Sequence, residues 1–373
     1  VAFLTRLHGA AAGISVSASH NPFPDNGIKL IDGAGSKWSE ADEQALEERL
    51  IGAPCPQPPP AQAGLVADDR LRDEYLEGLA ATLNGSAAGR SLAGLRVALD
   101  AGNGAASSYA APLFEGLGAE VVLLHADPDG RNVNAGCGST APAEMAARTA
   151  AESCDLGAAF DGDADRCILA DERGAVRDGD AMLYLWATHL HHQGLLTPAK
   201  IVATSMSNLG LERALAQEGI GVVRCDVGDR YVVEAMRREG ILLGGEQSGH
   251  IVHLGLASTG DGLLTALHMA ALLRAADRPL SELLAGFRRY PQVLRNVPVE
   301  RKTEFAAVPK VTVAARAVEK RLGDDGRLVL RYSGTEPLAR IMIEGPDQRA
   351  IDALAEELAA VIAGELGGST IPP

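Results

Sequence analysis

Two short stretches hold side chains whose types and spacing could do chemistry: Ser17-Ala-Ser-His-Asn-Pro22 and Asp161-Gly-Asp-Ala-Asp-Arg166. A Ser/His/Asn turn closed by proline presents one hydroxyl at a tight bend. Three carboxylates at alternate positions can converge on a hard divalent cation if the backbone curls, and Gly162 permits that curl. A serine that carries a phosphoryl group and a cation that neutralises it would make a phosphoryl-transfer pair. Alone, each stretch has a plainer reading: an ordinary turn, or a calcium loop. An EF-hand, however, needs glycine at its sixth position, where Arg166 stands.

The elements that must position these residues follow from the pattern of apolar runs. Gly13–Val16 reads as the end of a strand running into the serine turn, and Ser39 caps a helix to Leu50 whose first turn is acidic. Pro54–Pro60 is a proline-rich loop, Asp68–Leu83 a helix, and Gly85–Gly94 a linker. Strands are expected at 95–100, 120–124 and 156–160, with helices ending near Leu117 and spanning 141–152. That is a βαβαβ run and hence a mostly parallel sheet, its last strand delivering the aspartates. A second such unit starts near Gly179, with strands at 200–204 and 221–224, and helices to His191, after Leu209, over 229–239 and over 261–275. Between them Gly244–His250 reads as a loop. From Arg288 the pattern turns to α+β, with strands 327–331 and 340–344 flanking a polar loop.

The whole chain has 373 residues, 46% hydrophobic and 22% charged, with 42 glycines and a net charge of −15. This suits a multi-domain globular α/β protein and makes nucleic acid and anionic membrane poor partners. No apolar run reaches the roughly 18 residues that cross a bilayer. Five scattered cysteines, none spaced as CxxC, point to a reducing cytoplasm rather than a disulfide framework. An anionic substrate would need a local basic pocket against this acidic background. The chain opens on Val1 in mid-pattern, which predicts that an N-terminal segment is missing.

Four segments between Gly13 and Gly345 together make the chain resemble the phosphohexomutase superfamily, above all its bacterial branch that works on glucosamine phosphates. They are the Ser19 turn, the aspartate triplet, Gly244-Gly-Glu-Gln-Ser-Gly-His250 and Arg331-Tyr-Ser-Gly-Thr-Glu-Pro-Leu-Ala-Arg340. The resemblance implies an α/β protein of four domains: three α/β domains with mostly parallel sheets plus a C-terminal α+β domain. On this chain they would span 1–84, 85–178, 179–287 and 288–373.

The resemblance also implies roles. Ser19 would carry the phosphoryl group, with His20 and Asn21 holding it. Asp161, Asp163 and Asp165, with an oxygen of Ser19, would bind Mg²⁺. Arg166 would touch phosphate, and Lys29 and His250 would act in proton transfer or as charge clamps. Ala164 stands where many relatives carry glycine, a small change. Glu246, Ser248, Asp229 and Arg230 would recognise the sugar, Gln247 favouring an amino sugar. Arg331, Ser333, Gly334, Thr335 and Arg340 would grip the distal phosphate. The implied activity is glucosamine 6-phosphate to glucosamine 1-phosphate, through a hexosamine 1,6-bisphosphate that also serves as activator. The partner is then a phosphorylated hexosamine, and the resemblance allows a homodimer. The same chemistry on mannose or glucose phosphates is the alternative. So is a non-catalytic fragment, because the superfamily's opening Gly-Thr-Asp-Gly-x-Arg-Gly segment is absent.

Three other signals have duller readings. His189, His191 and His192 read as a solvated helix end. Gly102-Asn-Gly104 lacks the third glycine of a dinucleotide site. Glu40–Glu48 reads as a solvated helix face.

Overall fold

The computed structural model describes residues 1–52, 68–85, 92–333 and 336–367. The proline-rich loop Pro54–Pro60 with Cys55, linker residues 86–91, Gly334 and Thr335 lie outside them. Two compact units result: Val1–Ser207 with Leu215–Gly286, and Asn208–Ala214 with Phe287–Pro373.

Among the described residues, the first unit contains three sheets. Ala12–Ser17 pairs antiparallel with Gly27–Asp32, so Ser15 faces Lys29 across the hairpin and Ser19 lies in its connecting loop. Ile14, Val16 and Ile28 on this pair are exposed, and no third strand joins it among the described residues. The helix Glu40–Gly52 that follows has the expected cap: Ser39 Oγ accepts a hydrogen bond from Asp42 N at 3.2 Å.

The second sheet orders its strands Glu120–Leu124, Arg96–Asp100, Leu156–Phe160, Cys167–Asp171, Val176–Arg177. The first three are parallel, as expected, and every residue of Leu156–Phe160 is buried. Cys167–Asp171 returns antiparallel. The reason is loop length: the connection 161–166 is far shorter than the dozen or so residues that a parallel crossover needs.

The third sheet runs Ile251–His253, Leu243–Gly245, Lys200–Thr204, Gly221–Cys225. Its inner pairings are parallel, but Gly244–His250 is not the plain loop expected: Gly245 and Ile251 pair as the base of an antiparallel hairpin. Helix Asp229–Glu239 ends on left-handed Gly240, with Arg237 and Arg238 in its last turn. Helix Gly262–Ala276 is capped by Asp261, whose Oδ1 accepts from Leu264 N at 2.9 Å.

The second unit is the expected α+β element. Gln292–Pro298, Leu338–Glu344 and Arg327–Tyr332 form an antiparallel sheet in that order. Val297, Val311, Ile341, Ile343, Leu358 and Ile362 build its core with helices Pro309–Leu322 and Gln348–Leu366. Buried Glu344 ties in the segment Asn208–Ala214: it accepts from Asn208 Nδ2 at 3.0 Å and Leu209 N at 3.1 Å, and pairs with Arg327 at 2.7 Å.

Candidate active site

Asp161 follows the central buried strand Leu156–Phe160, at the carboxyl end where open α/β sheets bind ligands. The Ser19 turn comes against this loop through backbone. Gly162 N donates to Ser19 O at 2.9 Å, and a Cβ on Gly162 would stand 2.5 Å from that oxygen. Only glycine allows this approach. Ser19 has φ +50, and its Oγ lies 3.4 Å from Asp161 Oδ2 and 3.5 Å from His20 Nδ1.

One carboxylate oxygen from each of Asp161, Asp163 and Asp165 lies within 4.8 Å of the others, so the triplet converges as its spacing predicted. Lys29 reaches it from the hairpin, donating to Asp163 Oδ2 and, at 2.7 Å, to Asp165 Oδ2. Asp163 Oδ1 and Asp165 Oδ1 are buried and accept no hydrogen bond. His250 Nδ1 approaches Asp165 Oδ1 to 3.6 Å.

The charges answer one another. Burial, then the neighbouring Asp165 and Asp163 carboxylates, push Asp161 up to about 8. Burial also acts on Asp165, but the neighbouring His250 and then Lys29 hold it far below the usual carboxylate range. For Lys29, burial is outweighed by Asp165 and Asp163, and the ammonium is held above its ordinary range. Burial opposes charge on His250, yet the adjacent Asp165 carboxylate raises it. His20 is lowered by burial and then by the Arg166 charge. Arg166 N donates to Asp161 Oδ1 at 3.1 Å, while its Nε is buried without a hydrogen bond.

A cavity of about 500 Å³ opens beside this cluster, lined among others by Arg6, Lys29, Lys37, Asp163, Asp165 and Asp229. Its size suits a sugar phosphate. Asp229 pairs there with Lys37 at 2.7 Å. Arg230 is instead engaged by Glu43 at 2.6 Å and Glu40 at 3.6 Å, so two acidic residues read as a solvated face have a cationic partner. Glu246 is buried and accepts from Gly228 N at 3.0 Å and Ser248 Oγ at 3.4 Å. The structure therefore brings Ser19, His20, Lys29, Asp161, Asp163, Asp165, Arg166 and His250 together. It leaves Arg230 on the acidic helix.

In the second unit Arg331 and Arg340 are register partners on adjacent strands, an arrangement of like charges that an anion between them would relieve. Lys302 Nζ donates to Ser333 O at 2.6 Å, and Arg340 also pairs with Glu336 at 3.1 Å. Gly334 and Thr335 lie outside the described residues.

Two contributors escaped the reading of the sequence. Asn134, with φ +57, donates from Nδ2 to Ser19 O at 2.7 Å and to Asn21 O at 2.9 Å, fixing the serine turn from the loop before helix Ala143–Ala151. The loop Gly102–Gly104, which lacks a dinucleotide motif, buttresses the aspartates: Ala105 N donates to Gly162 O at 2.8 Å. The only available signal for either was a local density of Asn and Gly.

Family models match in chain order. Those of phosphoglucomutase/phosphomannomutase alpha/beta/alpha domains I, II and III cover residues 1–53, 73–174 and 178–290, and that of the C-terminal domain covers 294–361. The phosphoglucosamine mutase of Moorella thermoacetica is 45% identical over 98% of this chain and 82% of its own. That of Bacillus subtilis is 44% identical over 98% and 82%. A solved N-acetylphosphoglucosamine mutase from Aspergillus fumigatus shares the fold, with a TM-score of 0.75 at 20% identity over 97% of this chain and 90% of that one. At this identity and coverage, with the serine turn and aspartate triplet joined as described, the chain belongs to the phosphoglucosamine mutase family within the phosphohexomutase superfamily.

Proposed function

We propose that this chain interconverts glucosamine 6-phosphate and glucosamine 1-phosphate, with Ser19 as phosphoryl carrier and glucosamine 1,6-bisphosphate as intermediate. The observation that carries the reading is the Ser19 hydroxyl 3.4 Å from Asp161 Oδ2, at the edge of three converging carboxylates. The amino-sugar preference rests on the family.

Asp161, Asp163 and Asp165, with an oxygen of phospho-Ser19, would hold Mg²⁺. The donors are all hard oxygens, and two buried carboxylate oxygens lack any hydrogen bond, which fits such an ion. When bound, it would neutralise charge on the transferring phosphoryl group. Each transfer breaks the phosphorus bond to Ser19 Oγ and makes one to a sugar oxygen, or the reverse. The sugar hydroxyl's proton ends on Ser19 Oγ. His20, lowered and with Nδ1 3.5 Å away, is the group that shuttles it. Lys29 keeps its proton and acts as a cationic clamp rather than a base. His250 fixes Asp165, and Arg166 steadies phosphate.

Asp229, Glu246 and Ser248 recognise the hexosamine, and Arg230 would join them only by leaving its pairing with Glu43 and Glu40. Arg331, Ser333, Gly334, Thr335 and Arg340 hold the phosphate that is not reacting. We keep 1–84, 85–178, 179–287 and 288–373 as the working domain division. Unpaired cysteines among the described residues support a cytoplasmic setting, and no helix among these residues is long and apolar enough to cross a membrane.

The test is conversion of glucosamine 6-phosphate, mannose 6-phosphate and glucose 6-phosphate with Mg²⁺ and a priming hexose bisphosphate. Preference for the amino sugar, with phosphate found on Ser19 by mass spectrometry, is expected. A folded chain that turns over none of the three overturns the proposal.

A further inference from the structure

Besides the aspartate triplet, the described residues bring together a second group of ligating side chains: Asp100, His125 and Cys137. One donor atom of each lies within 4.8 Å of the others. Asp100 closes the strand Arg96–Asp100, His125 follows the neighbouring strand Glu120–Leu124, and Cys137 belongs to the loop before helix Ala143–Ala151. Asp100 and Cys137 are fully buried, whereas the His125 side chain is 25% exposed and gives a small ion a way in.

The local polarity calls for a cation. Carboxylates flank both nitrogens of His125: Glu144 Oε2 stands 3.3 Å from Nε2, and the buried Asp100 faces Nδ1. That Nδ1 is buried, makes no hydrogen bond, and stands 3.1 Å from Asp100 Oδ1. A buried carboxylate and imidazole nitrogen at this separation, out of contact with water, call for a positive charge between them, a proton or a metal ion. The Asp100 carboxylate takes hydrogen bonds from Gly102 N and Gly138 N, both at 2.9 Å, and its one ionic neighbour among the described residues is His125. Burial, then the Asp100 charge, push the Cys137 thiol up to about 11.

We propose that Asp100, His125 and Cys137 form a second metal site, for a borderline-soft divalent cation of the Zn²⁺ class, completed by water. Thiolate, imidazole and carboxylate together are the donors such ions select, whereas Mg²⁺ takes oxygen. A tetrahedral ion with bonds near 2.0–2.3 Å sets its ligands roughly 3.5 Å apart, within reach of small side-chain rotations here. Binding replaces the Cys137 S–H bond by a metal–sulfur bond, and the proton leaves to solvent. The site fastens Gly102 and Gly138, which pack on the carbonyl of Phe160, the residue before Asp161. Its role is to stiffen the floor under the aspartate loop, and it does not depend on the catalytic assignment above.

Cobalt is the probe. The full chain, held in excess Mg²⁺, is titrated with Co²⁺ while thiolate-to-cobalt charge-transfer absorption is followed in the near ultraviolet. The band should saturate at a single equivalent, disappear on adding Zn²⁺, and persist in Asp163→Asn and Cys154→Ser. It should vanish in Cys137→Ser, and His125→Gln should weaken binding by roughly tenfold or more. Absence of the band from the folded parent chain overturns the proposal, as does its survival in Cys137→Ser. If Cys137→Ser does not fold, unchanged cobalt affinity in His125→Gln, at a partly exposed position, overturns it equally.

Discussion

Asp100 and Asp161 stand at the same end of neighbouring parallel strands, Asp100 in register with Ala159. Both carboxylates are fully buried, and each is the pivot of a ligating cluster. Their partners differ. Around Asp161 every donor is oxygen, Lys29 balances the charge, and a serine hydroxyl waits at the edge. Around Asp100 the donors are oxygen, nitrogen and sulfur, and no hydroxyl is among them. Position in the sheet makes both places suitable for ligands. The donor atoms decide what each can do: one suits a hard ion and phosphoryl transfer, the other a structural ion.

The sharpest way to break this comparison is to remove one ligand from each cluster and measure turnover. Asp163→Asn should lower kcat on glucosamine 6-phosphate by roughly 10³-fold, since it weakens the ion and the Lys29 clamp together. Cys137→Ser should leave kcat within about threefold, because its cluster touches only the floor of the loop. Equal losses in the two variants would erase the distinction.

Stability should separate them next, and with opposite signs. Asp100 accepts two backbone N–H groups, so the amide of Asp100→Asn must lose one of them, at a cost of about 2 kcal/mol. Asp161 is raised by burial and then by Asp165 and Asp163. An acid whose native pKa lies above its unfolded value destabilises the metal-free fold progressively as pH climbs from about 4 to about 8. Asp161→Asn should therefore raise the urea midpoint of the chelator-treated protein at pH 8 and flatten its pH dependence, while abolishing turnover. A fall in midpoint for Asp161→Asn would show instead that its charge is well paired in the folded chain.

Much of one cluster was legible in the sequence and almost none of the other. Asp161, Asp163 and Asp165 are neighbours in the chain, and the apolar run Leu156–Phe160 announces the strand that delivers them. Asp100, His125 and Cys137 come together only because two parallel strands and one loop end at the same place, and no local spacing records that. The elements divide in the same way. Long buried runs and capped helices were readable, down to the Ser39 cap. Cys167–Asp171 and Ile251–His253 were missed because each returns across a loop of a few residues, and a short apolar run without alternation carries no sign of its direction. The sugar loop was recognised only by resemblance: nothing in Glu246 itself says that its carboxylate would be turned onto Gly228 N.

Asn134 sharpens the comparison from between the clusters, since it belongs to the loop that carries Cys137 yet holds Ser19. Asn134→Ala deletes both bonds to the serine turn, at 2.7 and 2.9 Å. The expected result is a kcat lower by about tenfold at nearly constant KM, because positioning of the proposed phosphoryl carrier, Ser19, is lost rather than substrate contact. Cobalt binding at Cys137 should not change. A rise in KM alone would move Asn134 from positioning to substrate binding.

The smallest effect is expected inside the aspartate loop itself. Ala164 has φ +56, the left-handed region where a Cβ costs about 1 kcal/mol relative to glycine. The methyl group, a minor change when read from the sequence, is thus held in a strained backbone at the turn between two carboxylates of the triplet. Its carbonyl helps fix that turn by accepting from Gly262 N at 2.8 Å. Ala164→Gly should stabilise the chain by up to about 1 kcal/mol in urea titration, leave cobalt binding unchanged, and alter kcat by less than about twofold. Strain stored at a catalytic loop is worth keeping only if it shapes the site. If Ala164→Gly gains stability but loses turnover substantially, the left-handed alanine is part of how the three carboxylates are aimed. If it gains stability and keeps turnover, the hydrogen bonds to Gly162 and Gly262 suffice to aim them.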